Sequence, residues 1–402
     1  MKPSDDPIDD WLYRYGWSAS SVPELLTGLS QQLRAFDIPV GRARVTLRTL
    51  HPQAIGTSYT WVFGQEEVAE VRAPHEIIET DRYLKSPYAK IFEDGSTIRR
   101  RLIGPDIQLD YNILPDLVDE GYTDYLALPI VFGDGSLHAL TLASDGPEGF
   151  DDEQIERLTA MTIPLSRALE VHALRYTART VLETYLGGKT GAKVLDGQVR
   201  RGDGDDIHSV IWFCDLRGST PMADILPRPE YLNLLNEFFE CMAGAVLGHG
   251  GEVLRYVGDA VLAIFPIDAP PVPNPEKCPI HRQACIDALA AATDAMGRMD
   301  DLNRERTAAG EEPLGYGIAL HMGDVTYGNI GTPERLEFTV IGPAANEAAR
   351  LEGFCKTLDQ PLLLSDQFAK ITADRCISLG EQALRGVDRR MTVYTLAQAA
   401  VR

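Results

Sequence analysis

The chain has 402 residues, enough for two or three domains, and its 44% hydrophobic and 24% charged content is that of an ordinary globular protein. Its 59 acidic residues outnumber 38 basic ones, for a formal net charge of −21. That balance argues against a nucleic-acid partner or an anionic membrane surface, which both need a cationic face, and it favours a site that gathers divalent cations.

The opening segment, MKPSDDPIDDWL, is acidic and lacks the basic-then-apolar pattern of a signal peptide. No stretch reaches the ~18 apolar residues of a membrane span, so the expected location is cytoplasmic. PELLTGLSQQLRAF carries a helical stripe of Leu25, Leu26, Leu29 and Leu33. RARVTLRTL alternates as a strand, with Val45, Leu47 and Leu50 broadly on one side, and TSYTWVFG reads as a second strand. YTDYLALPIVFGDGSLHALTLAS reads as a hairpin that turns at Gly133-Asp134-Gly135. Tyr59, Trp61, Tyr83, Tyr111 and Tyr125 suit either a pocket or an aromatic core, with the core favoured because aromatic side chains so often fill interiors. His51, His75 and His138 read as surface or packing residues.

A helix opens at Asp151-Asp152, and its apolar stripe continues from Ile155 to Leu186, with a kink expected at Pro164 and a stop at Gly187-Gly188. A long helix between domains suits a dimer contact and a lever for signals. KTGAKVLDGQVRRGDGDD follows as a Gly- and charge-rich connector, which places a boundary near residue 200.

All six cysteines (Cys214, Cys241, Cys278, Cys285, Cys355, Cys376) lie in the second half, and free thiols are the default in a reducing compartment. Cys278, His281 and Cys285 have a C-x2-H-x3-C spacing, but a fourth zinc ligand is missing and Cys285 begins an Ala-rich helical run, so packing is the favoured reading.

The chemistry concentrates in three later segments. In IHSVIWFCDLRGST a buried-strand run, Val210 to Phe213, ends at Asp215, and Leu216-Arg217-Gly218-Ser219-Thr220 turns toward a helix start. Backbone N–H groups there suit phosphate oxygens, and the carboxylate suits a metal on the same phosphates, although a strand-end Asp before Gly-Ser is also a common helix cap. In GEVLRYVGDAVLAIFP two strands flank Gly258-Asp259; this is either an ordinary turn or a second carboxylate brought to the first. In LEFTVIGPAANEAARLEGF, Asn346 and Arg350 are i, i+4 on a helix after Pro343 and share one face.

Taken together, FCDLRGST, GGEVLRYVGDAVLAIFP, YGIALHMGDVTYGNIG, TVIGPAANEAARLE and LRGVDRRMTVYTL, in that order, resemble the catalytic domain of class III nucleotidyl cyclases, the adenylate and guanylate cyclase family. Residues ~15–170 resemble, more loosely, a GAF-like sensory domain, through LALPIVFGDGS and the closing helix after GPEGFDDEQIERLTAM. The resemblance implies an α/β (α+β) chain with three parts. These are a GAF-like sensor over residues 1–170, a linker helix and connector over 171–204, and a cyclase domain with a ferredoxin-like βαββαβ core over 205–402.

It further implies that Asp215, Asp259 and the Leu216 carbonyl hold two Mg2+ or Mn2+ ions. Asn346 and Arg350 become the transition-state residues, and Arg385 contacts the terminal phosphates where Lys is more usual. Arg217, Gly218, Ser219 and Thr220 form the phosphate turn. Arg255 and Thr339 fall on the base-reading positions. Thr339 fits an adenylate-type subgroup, whereas Arg255 replaces the usual Lys with a donor that also matches guanine. The expected activity is that of an adenylate cyclase, a phosphorus–oxygen lyase. It acts on ATP as a homodimer with sites shared across the interface, under control of a small-molecule ligand at the N-terminal domain. A guanylate or promiscuous cyclase, and a catalytically silent nucleotide-binding scaffold, are the alternatives.

Overall fold

Alternation governs the first half of the chain. Along β1 (Val40–Leu47), Ala43, Val45 and Leu47 are buried on one face, while Arg42, Arg44 and Thr46 occupy the other. The strand joins β2 (Gly56–Val62), β3 (Ala69–Ala73), β4 (Ile98–Arg101), β5 (Asp124–Val131) and β6 (Leu137–Ser144) in an antiparallel sheet of order β3-β2-β1-β6-β5-β4. The β5–β6 connection turns at Gly135, whose φ of 84° is left-handed, a conformation glycine adopts without strain. The computed structural model describes residues 6–269, 272, 274–383 and 390–397.

One face of the sheet is covered by α1 (Pro7–Arg14) and α2 (Val22–Ala35), whose Leu25, Leu26, Leu29 and Leu33 pack with Val45, Trp61, Leu128 and Leu140. Ser21 caps α2 by accepting from the Glu24 N–H. The other face carries α3 (Asp81–Leu84), α4 (Pro87–Asp94) and α5 (Leu114–Asp119), with Ile91, Leu114, Leu117 and Tyr125 in a second core. The five aromatic residues marked in the sequence do not all line one pocket, although Tyr83 and Tyr125 share a cavity. Strand alternation sends Tyr59 and Trp61 to the first core and Tyr125 to the second, which Tyr111 joins from the segment before α5.

The helix expected over 155–186 is two helices, α6 (Asp152–Ala160) and α7 (Thr162–Leu186). Asp151 and Gln154 form a capping box at the start of α6. The break falls at Met161 rather than at Pro164. Proline lacks an N–H and its ring clashes with the carbonyl four residues back, here Ala160, so the chain re-enters a helix with Pro164 in its first turn. The chain divides into two compact units between Val181 and Leu182, inside α7.

The second unit begins with α8 (Gly188–Leu195), in a stretch the sequence reads as connector. Thr190 is fully buried there: its hydroxyl donates to Glu252 at 2.8 Å and lies 2.6 Å from the Tyr327 hydroxyl. Then follow β7 (Gly204–Arg217), α9 (Ser219–Ile225), α10 (Arg228–Gly248), β8 (Glu252–Val257), β9 (Ala260–Ile267), α11 (Pro279–Ala308) and β10 (Gly315–Thr332). The unit closes with β11 (Arg335–Ile341), α12 (Pro343–Leu358), β12 (Leu362–Leu364), β13 (Cys376–Ala383) and β14 (Arg390–Leu396). The sheet order is β13-β14-β12-β10-β7-β9-β8, with β11 paired to β10; among the described residues only β10 and β12 run parallel.

Helices α10 and α11 pack Phe238, Met242, Ala288 and Met299 against Val210, Trp212 and Phe265 of the sheet. Cys285 belongs to this core, and His281 is fully buried with its ring 5.2 Å from that of His208. Helix α12 lies close on β10: a Cβ at Gly317 would stand 2.2 Å from a Glu352 carboxylate oxygen and 2.9 Å from Cys355 Cβ, so only glycine admits this approach. No helix among the described residues is long and apolar enough to cross a membrane.

Candidate active site

Asp215 sits two residues before the end of β7, paired with Ala260 of β9 on one side and Gly317 of β10 on the other. Gly258, at φ 64°, makes the tight β8–β9 turn and sets Asp259 at its tip, beside Asp215. Burial first, then the negative charge of Asp259 and a hydrogen bond to it, push the Asp215 carboxyl up to about 6. Its Oδ1 is buried and has no hydrogen-bond partner.

A third acid, Glu352 of α12, was not singled out by the sequence. It is 9% exposed and is raised to about 7 by burial and by Asp215, against the opposing pull of Arg217. These carboxyls, with one orphaned oxygen, present excess negative charge that a cation would relieve, so the site fits a divalent metal. The direct ligands would be the two Asp carboxylates and the main-chain oxygen of Leu216. Among the described residues no cluster of three or more His, Cys, Asp or Glu stands arranged to hold an ion by itself.

The turn after β7 has Gly218 in the left-handed region at φ 75°, and no side chain caps the N–H groups of Ser219 and Thr220 at the start of α9. Arg217 donates to the Gln360 carbonyl at 2.9 Å, which holds its guanidinium along β12.

A second group lies on β8 and β11. Arg255 Nη1 pairs with Glu337 at 3.0 Å, while its Nε is buried without a partner. Thr339, 2% exposed and two residues along β11 from Glu337, has an unpartnered hydroxyl. Buried polar atoms are almost always satisfied, so the orphaned Arg255 donor and Thr339 hydroxyl, at the two positions expected to read a base, leave hydrogen-bonding capacity unused. Glu337 was missed; its place on the same face as Thr339, at strand period two, was the available signal.

Asn346 and Arg350 are exposed on the first turns of α12, whose N-terminus at Gly342 likewise lacks a side-chain cap. Arg385 lies outside the described residues. Asp215 and Asp259 thus lie at the end of β7 and at the β8–β9 turn, while Arg255 and Thr339 lie on β8 and β11.

Residues 205–398 match the family model for the adenylate and guanylate cyclase catalytic domain. An adenylate cyclase of Anabaena cylindrica is 29% identical over 190 residues, covering 46% of this chain and 36% of that protein. An uncharacterized protein of Mycobacterium tuberculosis is 33% identical over 237 residues, covering 58% and 38%. The chain thus spans little more than a third of the length of these curated relatives. Among solved structures, the adenylyl cyclase CyaB from P. aeruginosa is 24% identical with a TM-score of 0.42, covering 48% of this chain and 96% of that one. The guanylyl cyclase Cya2 is 26% identical with a TM-score of 0.41, covering 48% and 93%. The ordered motifs and the family match together make residues 205–398 a class III adenylate/guanylate cyclase catalytic domain.

Proposed function

We propose that this chain is an adenylate cyclase that converts ATP to 3′,5′-cyclic AMP and pyrophosphate. In this reading it acts as a homodimer, and the N-terminal unit is a GAF-like sensor that sets the rate. The observation that carries it is the pair of acids Asp215 and Asp259, one buried oxygen of which has no partner, within the stretch that matches the cyclase catalytic domain. A head-to-tail pair would bring the acidic group of one subunit to the base-reading group of the other and make two equivalent sites.

Asp215, Asp259 and the Leu216 carbonyl would hold Mg2+ or Mn2+. Such ions lower the pKa of a bound hydroxyl and neutralise phosphate charge. The uncapped amide N–H groups of Ser219 and Thr220 donate to phosphate oxygens, with Arg217 at the strand end beside them. From the other subunit, Asn346 orients the ribose so that its 3′-hydroxyl faces the α-phosphorus in line. Arg350 takes up charge on the phosphorus oxygens as the new bond forms and pyrophosphate leaves. Arg385 contacts the terminal phosphates. The Thr339 hydroxyl accepts from the adenine amino group, and Arg255 donates to N1.

Glu337 supports a second reading. Its carboxylate in the base pocket can accept from the N1–H and amino group of guanine, and a guanidinium at Arg255 matches guanine O6 and N7. Chromatography of products from the full-length protein with ATP or GTP, and Mg2+ or Mn2+, tests both. Cyclic AMP in excess supports the proposal, and cyclic GMP in excess overturns the base assignment. No product from folded dimer, with or without the first unit, leaves a nucleotide-binding scaffold.

A further inference from the structure

The first unit contains a cavity of about 550 Å³ on the sheet face opposite α2, within the size range of small-molecule sites. Five arginines line it, Arg42 and Arg44 from β1, Arg48 just after it, Arg72 from β3 and Arg82 from α3, against one acid, Asp116. Its remaining wall includes Tyr83, Tyr88 and Phe92. In a chain of net charge −21 this is a strong local reversal of sign.

The arrangement follows from the alternation of β1, which sends Arg42 and Arg44 to one face, with Arg48 following the strand. Their cross-strand neighbours there are neutral: Arg42 faces Val62 and Ala143, and Arg44 faces Thr60 and Thr141. Arg72 pairs with Glu70 at 3.1 Å, but Arg42, Arg44, Arg48 and Arg82 form no ion pair among the described residues. Arg44 Nε is buried and has no hydrogen-bond partner. Arg44 lies 5.8 Å from the Tyr88 ring centroid, and Arg48 lies 5.2 Å from that of Phe92. An unpartnered guanidinium nitrogen out of water is costly, and this protein has acids to spare that it does not place there.

We infer that this cavity binds a small organic anion, its carboxylate or phosphate held between Arg42 and Arg44 and its flat apolar body against Tyr83, Tyr88 and Phe92. Same-face neighbours on a strand are about 7 Å apart, close enough for two guanidinium heads to converge on one oxyanion. The fork of each head matches carboxylate and phosphate alike. The inference is independent of the reaction carried out by the second unit.

The test titrates full-length protein, without divalent metal, with 4-hydroxybenzoate, phenyl phosphate and the neutral methyl 4-hydroxybenzoate, read by calorimetry and thermal melting. At least one anion binds and raises the melting temperature, and the ester does not. Arg44→Gln weakens that binding by roughly tenfold or more. The same substitution raises the melting temperature of the unliganded protein, because it removes an unpaired cation. A residue with a merely structural role would lower it. Arg42→Gln provides the same comparison should Arg44→Gln fail to fold. The inference is overturned if neither anion binds at millimolar concentration, if the ester binds as well as the anions, or if anion binding survives the substitution of a folded variant unchanged.

Discussion

The two units solve the same electrostatic problem with opposite signs. In the second, Asp215 meets Asp259 at a strand end and keeps one buried oxygen without a partner. In the first, a row of arginines lines a cavity and Arg44 keeps one buried nitrogen without a partner. Arg99 and Asp124 show what a purely structural charge looks like in this fold. Asp124 is fully buried, pairs with Arg99 at 2.8 Å and accepts the Phe150 N–H, so nothing is left open. Asp124 has its partners in place and holds the fold together, whereas Asp215 and Arg44 keep capacity for a ligand of opposite sign. The net charge of the chain hides this contrast, because it averages an acidic strand end with a basic cavity.

The largest expected effect comes from the acidic side. Asp215→Ala and Asp259→Ala each reduce cyclic nucleotide formation to background, measured by chromatography with saturating Mn2+. Arg350→Ala follows, lowering kcat by about 10²–10³-fold with a much smaller change in KM. Equal mixing of Asp215→Ala and Arg350→Ala chains restores part of the activity, since one of the two sites in the heterodimer is then intact. If subunits exchange and activity stays absent, the two half-sites do not serve one substrate. Arg255→Lys and Thr339→Ala change the ratio of ATP to GTP use by roughly tenfold, the scale of one hydrogen bond, in competition assays with both nucleotides.

The smallest effect sharpens the contrast through pH. Asp215 and Glu352 hold protons more tightly in the folded state, at about 6 and about 7, than in the unfolded chain. Their contribution to stability is therefore present at acidic pH and is lost as pH rises through these values. Metal-free protein should melt at falling temperature as pH rises from the ordinary carboxyl range to neutrality. Asp215→Asn and Glu352→Gln should flatten the slope, and Mn2+ should offset it at neutral pH. A slope unchanged in both variants would remove the carboxyl cluster as its source.

Much of this organisation was legible in the sequence where local pattern and chemistry agree. The β8–β9 hairpin and its Asp259 tip follow from Gly-Asp between two apolar runs, and Asp215 follows from the strand that carries it. Three features were hidden. Helix α8 read as connector because of its glycines, yet Gly191 is a packing residue: a Cβ there would stand 2.9 Å from the Glu183 backbone nitrogen. Glu337 and Glu352 look like ordinary surface acids until the pairing of strands and helices puts one on Arg255 and the other beside Asp215. The arginines of β1 were passed over because the eye follows the apolar half of an alternating strand, while the polar half here also faces inward under α3 and α4.

The β8–β9 hairpin has one more consequence. Arg255 and Asp259 are four residues apart on it, and the proposed function assigns them to different half-sites. In the proposed dimer each hairpin therefore serves two catalytic centres, offering a base contact to one and a carboxylate to the other. A purine that pulls on Arg255 in the first centre tugs the carboxylate in the second. The two turnovers are then not independent events, and velocity plotted against nucleotide concentration departs from a simple hyperbola.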